Sequence, residues 1–245
     1  MSANALARQL AVVAGFESPR ASLEQYPTPP ALAARLIHAA DLQGDVAGRL
    51  VVDLGTGTGM FALGAALRGP AAVVGIDVDP APLGTARENE RRVGTTTPIS
   101  WVRADATRAP LRSAADADSR ATSAGADGGG SAEGTVTSST LDGTEAPGRP
   151  PITVVMNPPF GAQDGSEHAD RGFLATAARV ADVSYSVHNA GSREFVERFA
   201  ADNGGRIERA FRAELDLPRQ FEFHEAGSRT VAAEVFRIEW KKSED

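Results

Sequence analysis

Apolar positions along the chain fall into two alternating textures. LVVDLG (50–55) and AAVVGIDVD (71–79) are short, nearly continuous apolar runs, as expected of parallel strands buried on both faces. Each is followed by a segment with helical periodicity, MFALGAALRG (60–69), closed by Gly69, and the stretch from Pro80 to Val93. ISWVRAD (99–105) is a third strand, so this part of the chain reads βαβαβ. Upstream, the segment from Pro29 to Asp41 places Leu32, Leu36 and Ile37 on one helical face, with Thr28 positioned to cap it and Pro29 in the first turn. Downstream, ITVVMNPPF (152–160) is a strand cut off by two prolines, followed by a helix around Phe173 to Val180 and the strand VSYSVH (183–188). A helix from about Ser192 to Asp202 then leads into two consecutive strands, 206–215 and 230–240, the second alternating with period two. Strands and helices alternate until that point. The pattern therefore predicts a doubly wound, Rossmann-like α/β fold: a seven-stranded, mostly parallel sheet ending in an antiparallel hairpin.

One stretch breaks the alternation. Residues 113–149 are Ala, Ser, Thr, Gly and Asp with almost no large apolar side chain besides Val136 and Leu141, too few to offset the entropy of ordering them. They read as a disordered insertion in a single domain spanning 1–245, with a helical extension at 1–48. The same stretch carries six acids against Arg120 and Arg149, so it holds −4 of the formal charge of −7. The acidic balance is thus weaker evidence against a nucleic-acid partner than its total suggests. Lys241 and Lys242 are the only lysines, a usage that together with the acidity fits adaptation to high salt.

Other chemistry is excluded by composition. There is no cysteine, which removes disulfides, thiolate-bound zinc, iron–sulfur clusters and cysteine nucleophiles. His38, His168, His188 and His224 lack the close helical spacing of a metal pair, so no metal is expected. No apolar run approaches the length of a bilayer span and MSANALARQL is not a signal peptide, so a soluble, cytoplasmic protein with no membrane association is expected.

The candidate chemistry sits at strand ends. DLGTGTGM (53–60) joins a strand to a helix, where backbone N–H groups can face a ligand and glycine permits close approach. A nicotinamide-binding loop would require a small residue at position 60; Met60 stands there, which disfavours that reading. Asp77 ends the next strand, suited to the hydroxyls of a ribose, and Asp105 ends the third, suited to an adenine amine. A nucleoside-bearing methyl donor fits this set. Asn157-Pro158-Pro159-Phe160 ends the fourth strand, beside the crevice of such a fold. An exocyclic amine is a poor nucleophile because its lone pair is delocalised into the ring. The Asn157 carbonyl and the Pro158 backbone carbonyl can accept its two hydrogens, Pro159 fixes the turn, and Phe160 offers a stacking face for a flipped base.

The DLGTGTG, GIDVD, VRAD and NPPF blocks resemble class I methyltransferases of the amino-group type. Together with EQYPT (24–28), YSVHNAGSREFVERFA (185–200) and DLPRQFEFHEAGSRTVAAEVFRIEW (216–240), they resemble more specifically the methyltransferase-like family that makes N6-methyladenosine in small-subunit ribosomal RNA, as an archaeal-type member. The resemblance implies S-adenosyl-L-methionine as cofactor, held by Gln25, Thr28, Gly55, Thr58, Met60, Asp77, Asp105 and Ala106, with Asp53 and Gly59 of the same loop. It implies Asn157, Pro158, Pro159 and Phe160 as the reaction centre and ribosomal RNA as substrate. It also implies a heterodimer with a small zinc-binding activator protein that extends the sheet. In the implied strand order ISWVRAD (99–105) is an edge strand, and an exposed Trp101 there would be a liability without a partner.

Other readings remain open at this level. A glutamine N-methyltransferase acting on a translation factor faces the same lone-pair problem, and a non-catalytic RNA-binding module could retain the fold. His188, Ser192 and Arg193 lie near the ends of a strand and a helix on the side expected for substrate; a helix cap at Ser192 is as good a reading as an RNA contact. Phe221, Phe223 and His224 are expected to pack rather than bind.

Overall fold

A computed structural model describes residues 1–111, 150–159, 169–218 and 228–241. The whole insertion, Phe160, and the group Phe221, Phe223 and His224 lie outside these residues. The described helices are α1 (Ala3–Leu10), α2 (Pro30–Leu42), α3 (Met60–Ala66), α4 (Pro80–Val93), α5 (Ala169–Val180) and α6 (Arg193–Asp202). The strands are β1 (Leu50–Leu54), β2 (Ala72–Asp77), β3 (Ile99–Arg103), β4 (Ile152–Met156), β5 (Val183–Asn189), β6 (Gly205–Pro218) and β7 (Ser228–Trp240). They form one seven-stranded sheet in the order β3-β2-β1-β4-β5-β7-β6. The first five run parallel, while β7 pairs antiparallel with both β5 and β6. This is the doubly wound sheet with a terminal hairpin that the alternation predicts.

The central strands β1, β4 and β5 are short and buried because they are covered on both faces. On one face Val51, Val155, Tyr185 and Val235 pack with α1, α2 and α3; on the other Val52, Val154, Met156 and Phe236 pack with α5 and α6. β4 is buried at every position and ends where Pro158 and Pro159 cannot supply ladder donors. β1 and β4 are adjacent and parallel, with Leu54 beside Met156, so the glycine loop and Asn157 emerge side by side at the carboxyl edge of the sheet.

Three local expectations are corrected. Thr28 does not cap α2: Pro29 occupies the cap position, Pro30 opens the helix, and no side-chain cap bond forms. α3 ends at Ala66, before Gly69, which takes a left-handed φ of 69° in the following loop. Trp101 is not an exposed liability on the edge strand. Its indole lies against Gly59 and Gly75, where added Cβ atoms would come within 2.7 and 2.6 Å of the ring. Its Nε1 donates to Glu90 Oε2 at 2.8 Å, and Glu90 Oε1 accepts from the Ile99 N–H at 3.0 Å. Glu90 on α4 thus stitches the start of β3 inward. β3 itself does stand at the sheet edge, as expected.

Candidate active site

The loop between β1 and α3 can exist only because of its glycines. Gly55, Gly57 and Gly59 have φ values of 68°, 53° and 95°, in the left-handed region where side chains bearing a Cβ are strained. Bulk is excluded as well: a Cβ on Gly55 would lie 2.9 Å from the Phe173 ring, and one on Gly57 2.9 Å from Phe16. Two aromatic rings, from the N-terminal segment and from α5, therefore close on the loop backbone.

Two buried carboxylates hold the loop in place. Asp53 accepts from Thr56 Oγ1 at 2.6 Å and from the Ala62 N–H at 2.9 Å, tying both ends of the turn to β1. Complete burial pushes its carboxyl up to about 7, with those two hydrogen bonds opposing the shift. Asp77 accepts from the Gly57 N–H at 2.8 Å and from the Asp79 N–H at 2.9 Å; burial again raises its pKa. Each bond falls on a different oxygen, so each oxygen retains a lone pair. Asn89, fully buried on α4, donates to the Ala14 and Thr58 carbonyls, both at 3.0 Å, and accepts from the Ala14 N–H at 2.9 Å. It fastens the N-terminal segment to the glycine loop.

These elements enclose a cavity of about 300 Å³, at the small end of the range for ligand sites. Of the residues expected from sequence, Gln25, Thr28, Asp53, Gly55, Thr58, Met60, Asp77, Asp105, Ala106, Asn157 and Pro159 line it. Gly59 faces Trp101, and the buried Pro158 is not among the lining residues. Phe160 lies outside the described residues. Gln25 is already engaged: its Nε2 donates to Asp79 Oδ2 at 2.9 Å and its Oε1 accepts from the Arg20 N–H at 2.8 Å. It builds the wall formed by residues 20–28. Asp105 accepts from the Thr107 N–H at 2.8 Å and its hydroxyl at 2.7 Å, both on Oδ1. Its other oxygen is the one placed for a ligand.

Phe16, Phe61 and Phe173 also line it and are not among the site residues the sequence indicates. Phe173 reads as an ordinary core position of α5, and Phe16 sits in a stretch with no periodicity; only the spatial closure of the two segments over the glycines identifies them. His188 and Arg193 lie elsewhere. His188 is on the α5–α6 face, its ring edge-on to Phe236 at 5.7 Å and its Nδ1 3.8 Å from Asp170; Arg193 pairs with Glu197 at 3.3 Å. Ser192 occupies the cap position of α6, but its side chain makes no cap bond.

Asn157 carries the most telling geometry. Its Nδ2 donates to Thr28 Oγ1 at 3.1 Å, while its Oδ1 is buried without a hydrogen-bond partner among the described residues. An unsatisfied buried carbonyl is costly and rare, and here it belongs to a residue that lines the cavity. The cavity also fits S-adenosylmethionine: carboxylate oxygens of Asp77 and Asp105 could take ribose and adenine donors, the glycine loop allows close backbone approach by the amino-acid end, and Phe16, Met60 and Phe173 are apolar walls.

Residues 51–119 match the family described as methyltransferase domain. The chain is 31% identical over 223 residues to the uncharacterized protein MJ0284 of Methanocaldococcus jannaschii, covering 91% of this chain and 87% of that one. It is 29% identical over 229 residues to the rRNA N(6)-adenosine-methyltransferase Mettl5 of Drosophila melanogaster, covering 93% and 91%. Among solved structures, it superposes on a putative RNA methyltransferase, PH1948, from Pyrococcus horikoshii with a TM-score of 0.76 and 28% identity over 99% of both chains.

Proposed function

Because the chain belongs to the class I methyltransferases, in the family of the Methanocaldococcus jannaschii protein MJ0284, we propose that it methylates the N6 amine of an adenine in small-subunit ribosomal RNA. Its cofactor is S-adenosylmethionine, which when bound supplies an electrophilic methyl group.

The observation that carries the reading is Asn157, which lines the cavity and whose Oδ1 has no partner among the described residues. A carbonyl there accepts one hydrogen of an incoming amine and turns the nitrogen lone pair out of conjugation with the ring. The second hydrogen goes to the backbone carbonyl at Pro158. The nitrogen takes the methyl group as the methyl–sulfur bond breaks, and the surplus proton leaves to water. Because the amine becomes acidic only as the new bond forms, acceptors aimed at it act mainly in the transition state. Ribosomal RNA as the substrate is supported by the relatives that carry that name and align over nine-tenths of this chain.

The partner belongs to the same proposal. Ala104 donates to the Asp77 carbonyl, so by alternation the Trp101 and Arg103 N–H groups point to the open edge of β3. A small zinc-binding activator adding a strand there would cover donors that are otherwise left to solvent.

The test is transfer of labelled methyl from S-adenosylmethionine to stripped small-subunit ribosomal RNA or to a release factor, by the protein purified with any bound partner. Label in the RNA, recovered as N6-methyladenosine after digestion, is the outcome the proposal requires. Label in glutamine of the release factor, or in neither, contradicts it.

A further inference from the structure

The carboxamide of Asn157 can face the cavity in two ways, and only one suits an amine. With Oδ1 inward it presents an acceptor; with Nδ2 inward it presents hydrogens to hydrogens. Something must hold the nitrogen on the other side. Thr28 Oγ1 accepts from Asn157 Nδ2 at 3.1 Å across 129 residues of sequence, and both side chains line the cavity. We propose that Thr28 is a positioning residue: its hydroxyl holds the Asn157 carboxamide in the cavity wall, and with Nδ2 engaged on Thr28 the Oδ1 is left to serve the substrate amine.

The sequence around Thr28 explains why the hydroxyl serves this purpose. A threonine just before a helix ordinarily accepts from a backbone N–H two or three residues on. Here the cap position falls on Pro29, one residue after Thr28, no side-chain cap bond forms, and Pro30, two residues on, carries no N–H. Both residues hold φ near the proline value, with Pro29 at −61°, so the segment entering α2 is stiff as well as donor-free. Asn157 is likewise followed by two prolines, and β4 stops beneath it. Two rigid Xaa-Pro-Pro segments therefore meet through a single hydrogen bond. Asn157 Oδ1 gains no partner from this contact and stays buried and unpaired among the described residues.

The alternative role for Thr28 is direct contact with the cofactor, which the family resemblance implies. The two roles separate kinetically. A cofactor contact alters the dissociation constant of S-adenosylhomocysteine. A positioning bond to Asn157 alters the rate of transfer at saturating cofactor and RNA, because an amide free to rotate loses the acceptor in the transition state.

This inference rests on the assignment of Asn157 as the amine acceptor. The experiment compares wild type, Thr28→Ser and Thr28→Val, each purified with any bound partner, using stripped small-subunit ribosomal RNA and labelled S-adenosylmethionine. Thr28→Val, which keeps the shape but not the hydroxyl, should lower kcat about tenfold or more, while S-adenosylhomocysteine affinity changes less than about twofold. Thr28→Ser, which keeps the acceptor, should return kcat to within about threefold of wild type. A Thr28→Val enzyme with undiminished kcat, or one whose loss appears wholly as weaker cofactor binding, overturns the proposal. So does a Thr28→Ser variant as slow as Thr28→Val. Failure of wild type itself to label RNA overturns the functional reading instead, and is distinguished by that control.

Discussion

Asp77 and Gly57 are joined by a hydrogen bond of 2.8 Å from the glycine N–H to the carboxylate, so the residue that ends β2 also sets the shape of the loop that follows β1. The cofactor site is thereby assembled before anything binds. Asp77→Ala removes the loop anchor together with an acceptor for ribose hydroxyls. Two hydrogen bonds to a charged acceptor are worth about 1.5–3 kcal/mol each, so affinity for S-adenosylmethionine should fall by about a hundredfold or more. Titration calorimetry on the folded variant measures this; an unchanged dissociation constant would remove Asp77 from the site.

The packing of Trp101 makes a contrast between two glycines. A Cβ on Gly75 would come within 2.6 Å of the indole and 3.0 Å of Thr56 Oγ1, whereas one on Gly84 meets nothing within 4 Å. Gly75→Ala should destabilise the fold by about 1–3 kcal/mol through overpacking. Gly84→Ala, inside α4, should stabilise it by about 0.5–1 kcal/mol. Urea unfolding of the two variants decides whether their effects have opposite signs.

Asp53 predicts a dependence of stability on pH. Its carboxyl is raised from 3.8 to about 7 by burial, so between those values the folded state binds more protons than the unfolded one. Stability from this group is fully present below about pH 4 and is lost as pH rises through 7, a change on the order of a few kcal/mol. Asp77 is shifted in the same direction, so wild type alone does not isolate the effect. Unfolding free energies of wild type and Asp53→Asn from pH 4.5 to 7.5 should converge in slope only if Asp53 titrates where an exposed aspartate does; the account requires a shallower decline in the variant.

The edge of β3 gives a prediction about the partner. Trp101 is packed inward, so charging it would damage the fold rather than report on an interface. Arg103→Pro removes one outward N–H in a strand that tolerates proline only at an edge. It should abolish co-purification of a sheet-extending partner while leaving the unfolding midpoint nearly unchanged. Replacing 113–149 by a short Gly-Ser linker should leave co-purification intact, because loop length adds only about 0.6 kcal/mol per doubling. Pairing retained by the proline variant, or lost by the linker variant, would move the interface elsewhere.

The sheet was legible because its evidence is local. The apolar runs at 50–55 and 71–79 can be only buried strands, and the acids at 77 and 105 announce themselves by standing at strand ends. What sequence could not supply is contact between distant segments. Phe16 and Phe173, 157 residues apart, close over Gly55 and Gly57 without any shared pattern. Thr28 illustrates the limit most clearly: its place before a helix with Pro29 in the first turn reads as a cap, but the helix starts one residue later, the cap position falls on Pro29, and the Thr28 hydroxyl meets Asn157 instead. Trp101 was misjudged for a related reason, since strand alternation says which residues share a face but not that two glycines leave room for an indole.

The central claim is that Asn157 acts on the amine and not on the cofactor. The decisive measurement pairs two readouts on Asn157→Ala: the rate of methyl transfer to stripped small-subunit ribosomal RNA, and the dissociation constant of S-adenosylmethionine by calorimetry. The account predicts a rate below about a tenth of wild type, a loss of at least about 1.4 kcal/mol in the transition state, with cofactor affinity within about twofold of wild type. A variant that transfers methyl at more than a tenth of the wild-type rate, or that is slow only because it no longer binds cofactor, would contradict it.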